Sequence, residues 1–302
     1  MKKAFFAFIA GTMILLLAGC NLPFKIVPNV SSTPTELLPS PTTTVSPILP
    51  TETTPPLTEP TATLAPEIPA YSENGLSFSL PPCLASGAAV STVPAVPFVE
   101  NGGPQEFYPE HRLVQFTGYP LVGKFHEAQV RIYPVSSFVQ MYAPLEARVQ
   151  TLADLINTRP PTPPDSIPFL PMFNAAQQIR ARVSYLDFQN GSGVAFLTQY
   201  NQYSSPINNY DLFYTYQGLT SDQQYWISAI LPAAGNFLQE TPTSTEVPQN
   251  GIPFPSDPSD TAALEAYYAS AATLMTSVSS SAYTPEITCM DVFLQSLKVE
   301  NP

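Results

Sequence analysis

Alternation between apolar and polar residues predicts the first strands of the chain. Residues 76–80 (LSFSL) alternate between apolar and polar side chains at every position, and a proline pair follows them. This pattern is typical of a strand with one buried face. Residues 112–116 and 128–133 show the same preference for β-structure and predict two further strands.

The strongest fold signal is a run of four strands in the second half of the chain. Turn-forming segments such as Asn190-Gly191-Ser192-Gly193 separate stretches that are rich in β-branched and aromatic residues. The predicted strands cover residues 182–188, 194–203, 211–217 and 224–231. Because their connections are short, they predict an antiparallel meander.

Apolar residues at helical spacing precede the meander. Ser136 or Ser137 is predicted to cap a short helix that runs through Met141. Pro144 suits the first position of a second helix. The apolar face of that helix would be Leu145, Val149, Leu152, Leu155 and Ile156. Residues 159–171 contain several prolines and predict a loop.

Two more helices are predicted after the meander. Asp260 is the expected N-cap of an alanine-rich helix over residues 261–279. Residues 284–286 (TPE) open the last helix, whose apolar residues begin at Ile287. The expected fold class is therefore α+β, with helices packed on an antiparallel sheet.

The amino-acid composition differs between the N-terminal quarter of the chain and the rest. Residues 20–70 are dominated by proline, threonine and serine, and such a segment favours extended polyproline II structure at roughly 3.1 Å per residue. The sequence predicts a disordered linker there and one folded α+β domain over residues 71–302. The net charge of -12 predicts repulsion from nucleic acid, so no nucleic-acid partner is expected.

The N-terminus carries a targeting pattern. Lys2 and Lys3 precede an apolar run, and Leu17-Ala18-Gly19-Cys20 follows it. Residues 1–19 resemble a bacterial lipoprotein signal peptide with its lipobox. The resemblance implies cleavage before Cys20, acylation of that residue (with palmitate among the chains), and attachment to the cell membrane on its extracytoplasmic side. The alternative is an uncleaved transmembrane helix, although the run is shorter than the roughly 20 residues that a span needs.

Two cysteines remain after Cys20. Cys83 and Cys289 form an even pair in a chain expected outside the cytoplasm, which predicts a disulfide between them. Two buried free thiols are the alternative. Two thiols without a histidine cluster do not form a zinc motif, and no metal or cofactor is expected.

Two patches resemble the PsbP/DcrB-like group of small exported domains. One is the opening strand at residues 71–81 (YSENGLSFSLP), and the other is the terminal segment at residues 293–299 (FLQSLKV). The resemblance implies a sheet sandwiched between helices. Both patches are structural, so the resemblance carries over no ligand or catalytic residue.

The sequence offers few candidate catalytic or binding residues. The only histidines, His111 and His126, each lie beside a glutamate, but their spacing matches no metal or catalytic pattern, so no catalytic residue is assigned. Tyr200, Tyr214, Tyr216 and Trp226 lie in a stretch rich in tyrosine and amides and predict a binding face. Ordinary strand propensity is the alternative explanation.

The sequence therefore predicts a non-catalytic lipoprotein domain that binds an envelope protein or a glycan. An envelope hydrolase with a site around His111 and His126 is the alternative. A purely structural role, as a spacer or coat protein, is a third possibility.

Overall fold

A computed structural model of the protein describes residues 68–100 and 102–302. The predicted signal peptide, Cys20 and nearly all of the predicted linker lie outside the described residues. Within the described ranges, no helix is long and apolar enough to cross a membrane.

Fourteen strands and four α-helices make up the described structure. The strands are β1 (Ala70–Glu73), β2 (Leu76–Ser79), β3 (Gly87–Val93), β4 (His111–Thr117), β5 (Gln129–Pro134), β6 (Ala176–Gln177), β7 (Ala181–Phe188), β8 (Gly191–Thr198), β9 (Tyr200–Asn201), β10 (Phe213–Thr220), β11 (Tyr225–Pro232), β12 (Ala234–Gly235), β13 (Tyr283–Thr284) and β14 (Lys298–Val299). The helices are α1 (Val135–Met141), α2 (Leu145–Thr158), α3 (Thr261–Ser277) and α4 (Ile287–Ser296).

A seven-stranded sheet forms the centre of the fold, in the order β3-β4-β5-β11-β10-β8-β7. Every neighbouring pair is antiparallel. Strands β7, β8, β10 and β11 are consecutive neighbours, so the predicted meander is confirmed. A three-stranded sheet, β1-β2-β14, and two short strand pairs complete the β-structure.

Both faces of the central sheet are covered. Along β10, Phe213 packs into one hydrophobic cluster, and the next residue, Tyr214, packs into the other. Helices α1 and α2 cover the first side, which we call the groove face. Helices α3 and α4 cover the second side, together with the small sheet β1-β2-β14. We call it the disulfide face. The α+β fold class is confirmed.

The helix termini agree with the sequence in one case and differ in another. The Asp260 side chain accepts a hydrogen bond from the Ala263 backbone N–H at 3.0 Å, which confirms the predicted cap of α3. The predicted serine cap of α1 is wrong. That helix begins at Val135 directly after Pro134, without a side-chain cap, because β5 leads straight into it.

A disulfide joins the two ends of the described domain. Cys83 lies shortly after β2, and its partner Cys289 lies in α4, with 6.0 Å between the two Cα atoms. Strand β14 pairs with β2 beside it. The N-terminal and C-terminal parts of the described domain are therefore held together both by a covalent bond and by backbone hydrogen bonds.

Candidate binding groove

Three of the four residues predicted to form a binding face are buried. Tyr214 is 1% exposed, and Tyr216 and Trp226 are fully buried. The prediction of a face at these three positions is corrected, because their strands lie in the middle of a sheet that helices cover on both sides. A central strand in such a sheet has no solvent side.

The polar atoms of these buried rings find partners inside the protein. The Tyr214 hydroxyl donates a hydrogen bond to Asp291 Oδ1 at 2.6 Å, and the Trp226 Nε1–H donates one to Gln217 Oε1 at 2.8 Å. Burial is the main reason that the pKa of Tyr214 lies well above its usual value. These side chains stabilise the core and are not available to a ligand.

Tyr200 is the exception, because it lines a cavity at the surface of the groove face. The cavity measures about 490 Å³, which is within the range of small-molecule sites. Its aromatic lining consists of Tyr142, Phe169, Phe173 and Tyr200. We call it the aromatic groove.

The rings in the aromatic groove pack against one another. The Tyr200 ring centroid lies 4.9 Å from that of Phe169 and 5.2 Å from that of Phe173. Polar side chains line the same groove, among them Arg148, Asp165 and Gln177. The groove therefore presents apolar rings together with hydrogen-bonding and charged groups.

Short strands position Tyr200. It begins β9, directly after the buried β8, and pairs in register with Gln177 of β6. The Gln177 side-chain amide donates a hydrogen bond to the Tyr200 hydroxyl. The oxygen of the same amide accepts a hydrogen bond from the backbone N–H of Ile167 at 3.2 Å. Gln177 thus connects Tyr200 to the loop that forms the wall of the groove.

A buried glutamine on the sheet holds the same loop. Gln217 Oε1 accepts a hydrogen bond from the Leu170 N–H at 3.0 Å, and its Nε2 donates one to the Leu170 carbonyl at 3.3 Å. Ser228 also donates to that carbonyl. An irregular loop cannot pair its own backbone groups, so these side chains replace the missing partners. Residues 159–171 form a loop, as predicted.

One arginine, Arg148, lines the groove, and a second, Arg180, lies near the lining residue Asp165. Arg148 is exposed on α2, and Arg180 lies 3.9 Å from the carboxylate of Asp165. Burial raises the pKa of the Tyr200 hydroxyl, and the nearby charges of both arginines partly oppose that rise. The positive charges of both arginines therefore favour the ionised form of the Tyr200 hydroxyl, although burial outweighs them.

The structure does not bring the two histidines together. His111 lines a cavity of about 230 Å³ near Arg112, and His126 lines a different cavity of about 420 Å³. Burial lowers the pKa of each imidazole to about 4, so both are neutral at pH 7.

The partners of the two imidazoles are backbone groups and aromatic rings. His111 Nδ1 lies 2.9 Å from the carbonyl of Pro109, and Nε2 is buried without a partner in the described structure. The His126 ring stacks on Phe173 with 5.3 Å between the centroids. In residues 68–100 and 102–302, no group of three or more His, Cys, Asp or Glu side chains could hold a metal ion.

Sequence reasoning missed most of the groove. Tyr142, Phe169 and Phe173 lie in segments without a regular apolar period, and Arg148 reads as an ordinary exposed residue of a helix. The available signal was the loop at residues 159–171 itself, because long loops within compact domains are often functional.

Comparison of the chain with models of known protein families, with curated proteins and with solved structures found no match. The resemblance to PsbP/DcrB-like domains stays a prediction from the sequence. The interpretation of the site rests on the geometry of the groove.

Proposed function

We propose that this protein is a non-catalytic lipoprotein that binds a glycan in the aromatic groove on the outer side of the cell membrane. The observation that carries the proposal is the groove itself, where the partly exposed rings of Tyr142, Phe173 and Tyr200 line one cavity together with polar side chains. An envelope protein is the other class of partner expected from the sequence.

A sugar chain suits this lining for a physical reason. Each pyranose ring has an apolar face of C–H groups and a rim of hydroxyl groups. Aromatic rings such as Tyr200 and Phe173 offer apolar contact area, and the Gln177 amide and the charged side chains nearby offer hydrogen bonds to hydroxyl groups. A site made of both kinds of group favours a ligand with both kinds of surface.

The proposed location rests on the lipobox pattern that ends at Cys20. The disulfide between Cys83 and Cys289 supports a location outside the cytoplasm, because such bonds persist in oxidising compartments. Labelled palmitate should enter the wild-type chain in cells and should not enter the Cys20→Ser variant. Equal labelling of the two chains would contradict the proposed anchor.

The hydrolase alternative receives no support from the geometry. His111 and His126 line separate cavities, and in the described structure neither imidazole forms a hydrogen bond with a carboxylate. An acid–base pair needs two groups within reach of one reacting atom.

Binding can be tested with the full-length chain in detergent micelles on an array of immobilised neutral and acidic oligosaccharides. Wild type should be retained on at least one class of sugar. The Ala176→Trp variant should lose that retention, because Ala176 is an exposed residue on the wall of the groove and an indole there would fill it.

Ala269→Trp is the matched control, since Ala269 is an exposed alanine of α3 on the opposite face of the sheet. It should bind as wild type does. Absence of retention on every sugar, or retention of the Ala176→Trp variant at the wild-type level, would overturn the proposal.

A further inference from the structure

We infer that the aromatic groove selects an acidic glycan, whose carboxylate groups are recognised by Arg148, which lines the groove. This inference rests on the proposed function and names the class of sugar. The observations that carry it are the position of the Arg148 guanidinium, its lack of an ion pair among the described residues and the charge of the rest of the chain.

Arg148 has no carboxylate neighbour on its own helix. The helix positions three and four residues away hold Leu145, Thr151, Leu152 and Pro144. Residues at those spacings are the ones that share a helix face. No ion pair of Arg148 is formed within the described part of the chain. Its exposed guanidinium at the groove is therefore available to a ligand.

The carboxylate in the groove lining is directed at another arginine. Asp165 lines the groove and lies 3.9 Å from Arg180, which is outside the lining. The Asp165 side chain is fully exposed to solvent and forms no ion pair with Arg148 in the described structure. Asp165 therefore leaves the Arg148 guanidinium available to a ligand carboxylate, which can form two hydrogen bonds with it.

The charge of the rest of the chain makes this arginine notable. The chain has 23 acidic and 11 basic residues, so its overall field repels anions. The Arg148 guanidinium at the groove is a local exception to that field. A planar guanidinium also matches a carboxylate better than a lysine ammonium does. A neutral sugar would use the rings and leave Arg148 without an ion-pair partner.

Charge selectivity can be measured with a pair of hexasaccharides that differ only in their carboxylates. The probes are α-1,4-linked hexagalacturonate and its carboxyl-reduced form, titrated calorimetrically into the full-length chain in detergent micelles. Wild type should bind the acidic hexamer about tenfold more tightly, which corresponds to one favourable charged contact of about 1.4 kcal/mol. The advantage should shrink as sodium chloride rises from 50 to 500 mM.

Arg148→Gln should bring the affinity for the acidic hexamer close to that for the reduced one. Its affinity for the reduced hexamer should stay at the wild-type value. Lys298→Gln is the matched control, because it removes one positive charge from β14 on the disulfide face. The control should keep the tenfold preference.

The outcomes separate this inference from the proposed function. Equal wild-type affinities for the two hexamers, or an undiminished preference in the Arg148→Gln variant, would overturn acidic selectivity and leave glycan binding intact. No binding of either hexamer, together with no retention on the oligosaccharide array, would overturn both.

Discussion

The two faces of the central sheet are covered in different ways. On the disulfide face, α3 and α4 pack on the strands, and a covalent bond joins α4 to the segment after β2. On the groove face, α1 and α2 cover part of the sheet, and the loop at residues 159–171 covers another part through Ile167, Phe169 and Leu170. The difference shows where a cavity arises. Regular helices satisfy their own backbone, whereas a loop depends on side chains such as Gln177 and Gln217 and leaves a groove beside them.

The largest expected effect tests the disulfide face. Replacing Cys83 and Cys289 with serine should lower the free energy of unfolding by about 4 kcal/mol, because the bond closes a loop of 206 residues in the unfolded chain. Urea unfolding of the full chain measures the loss. Reductant should reproduce it in wild type and have no effect on the variant. A loss below about 1 kcal/mol would show that helix packing alone holds this face.

The next effect tests how the loop is held on the groove face. Gln217→Met keeps the size of the side chain but leaves the Trp226 Nε1–H and the Leu170 N–H without their acceptor. The free energy of unfolding should fall by about 3 kcal/mol in urea titrations, and glycan binding should weaken because the groove wall is released.

The control for this change is Gln115→Met, which makes the same replacement at an exposed position of β4. That variant should stay within about 0.5 kcal/mol of wild type. Similar losses at the two positions would show that the buried amide does not hold the loop.

Acid should weaken the groove face through His111. Because burial lowers the pKa of this imidazole to about 4 in the folded state, the unfolded chain binds the proton more readily. The stability contributed by neutral His111 is present above pH 6.5 and is lost as the pH falls through the folded pKa. Between pH 7 and pH 5 this residue should account for a loss of about 2 kcal/mol.

Urea unfolding of wild type and His111→Phe at the two pH values isolates this contribution, because phenylalanine fills a similar space and cannot be protonated. The variant should lose less stability on acidification, and its value at pH 7 serves as the internal reference. The same acid loss in both chains would show that His111 already titrates normally in the folded state.

The smallest expected effect is a loss of stability as the pH rises, the opposite of the effect of His111. It concerns Asp291, which packs on the disulfide face. Burial raises the pKa of Asp291, whose carboxylate accepts the hydrogen bond from Tyr214. The folded state therefore holds the Asp291 proton more tightly than the unfolded chain does. The stability contributed by this residue is full below the ordinary pKa of 3.8 and is lost as the pH rises through the folded value.

Asp291→Asn should remove this pH-dependent contribution to the free energy of unfolding. The variant should therefore lose less stability than wild type when the pH rises from 3.5 to 7. Urea unfolding at the two values is the measurement. Asp154→Asn, at an exposed position of α2, is the control and should follow wild type. An unchanged pH dependence in the Asp291→Asn variant would contradict the raised pKa.

Sequence reasoning worked best where a regular element carries its own signal. The cap at Asp260 and the apolar residues of α4 predicted two helices, and the turns of the meander predicted four strands. It missed β3, an edge strand rich in small residues, none of which is fully buried. Such a strand has little apolar alternation to detect.

The site was harder to predict because exposure depends on long-range packing. Tyr214 and Tyr200 look alike in the sequence, yet one lies under helices and the other lines a groove. Gln217 offered a clue, since a glutamine within an apolar strand of a doubly covered sheet needs a buried partner. That partner, Leu170, is 47 residues away in the sequence.

The position of the disulfide also has a mechanical consequence. Tension applied at residue 68 would separate β1 from β2 one hydrogen-bonded pair at a time, as in unzipping. Once β2 has also separated from β14, the extension would stop at Cys83, where the load passes through a covalent bond to α4. Residues 68–83 allow roughly 50 Å of travel before that point. In single-molecule pulling, a first extension longer than this in the oxidised protein would contradict the expectation. The disulfide at Cys83 thus limits how far the N-terminal segment can extend under tension before the load reaches the rest of the domain.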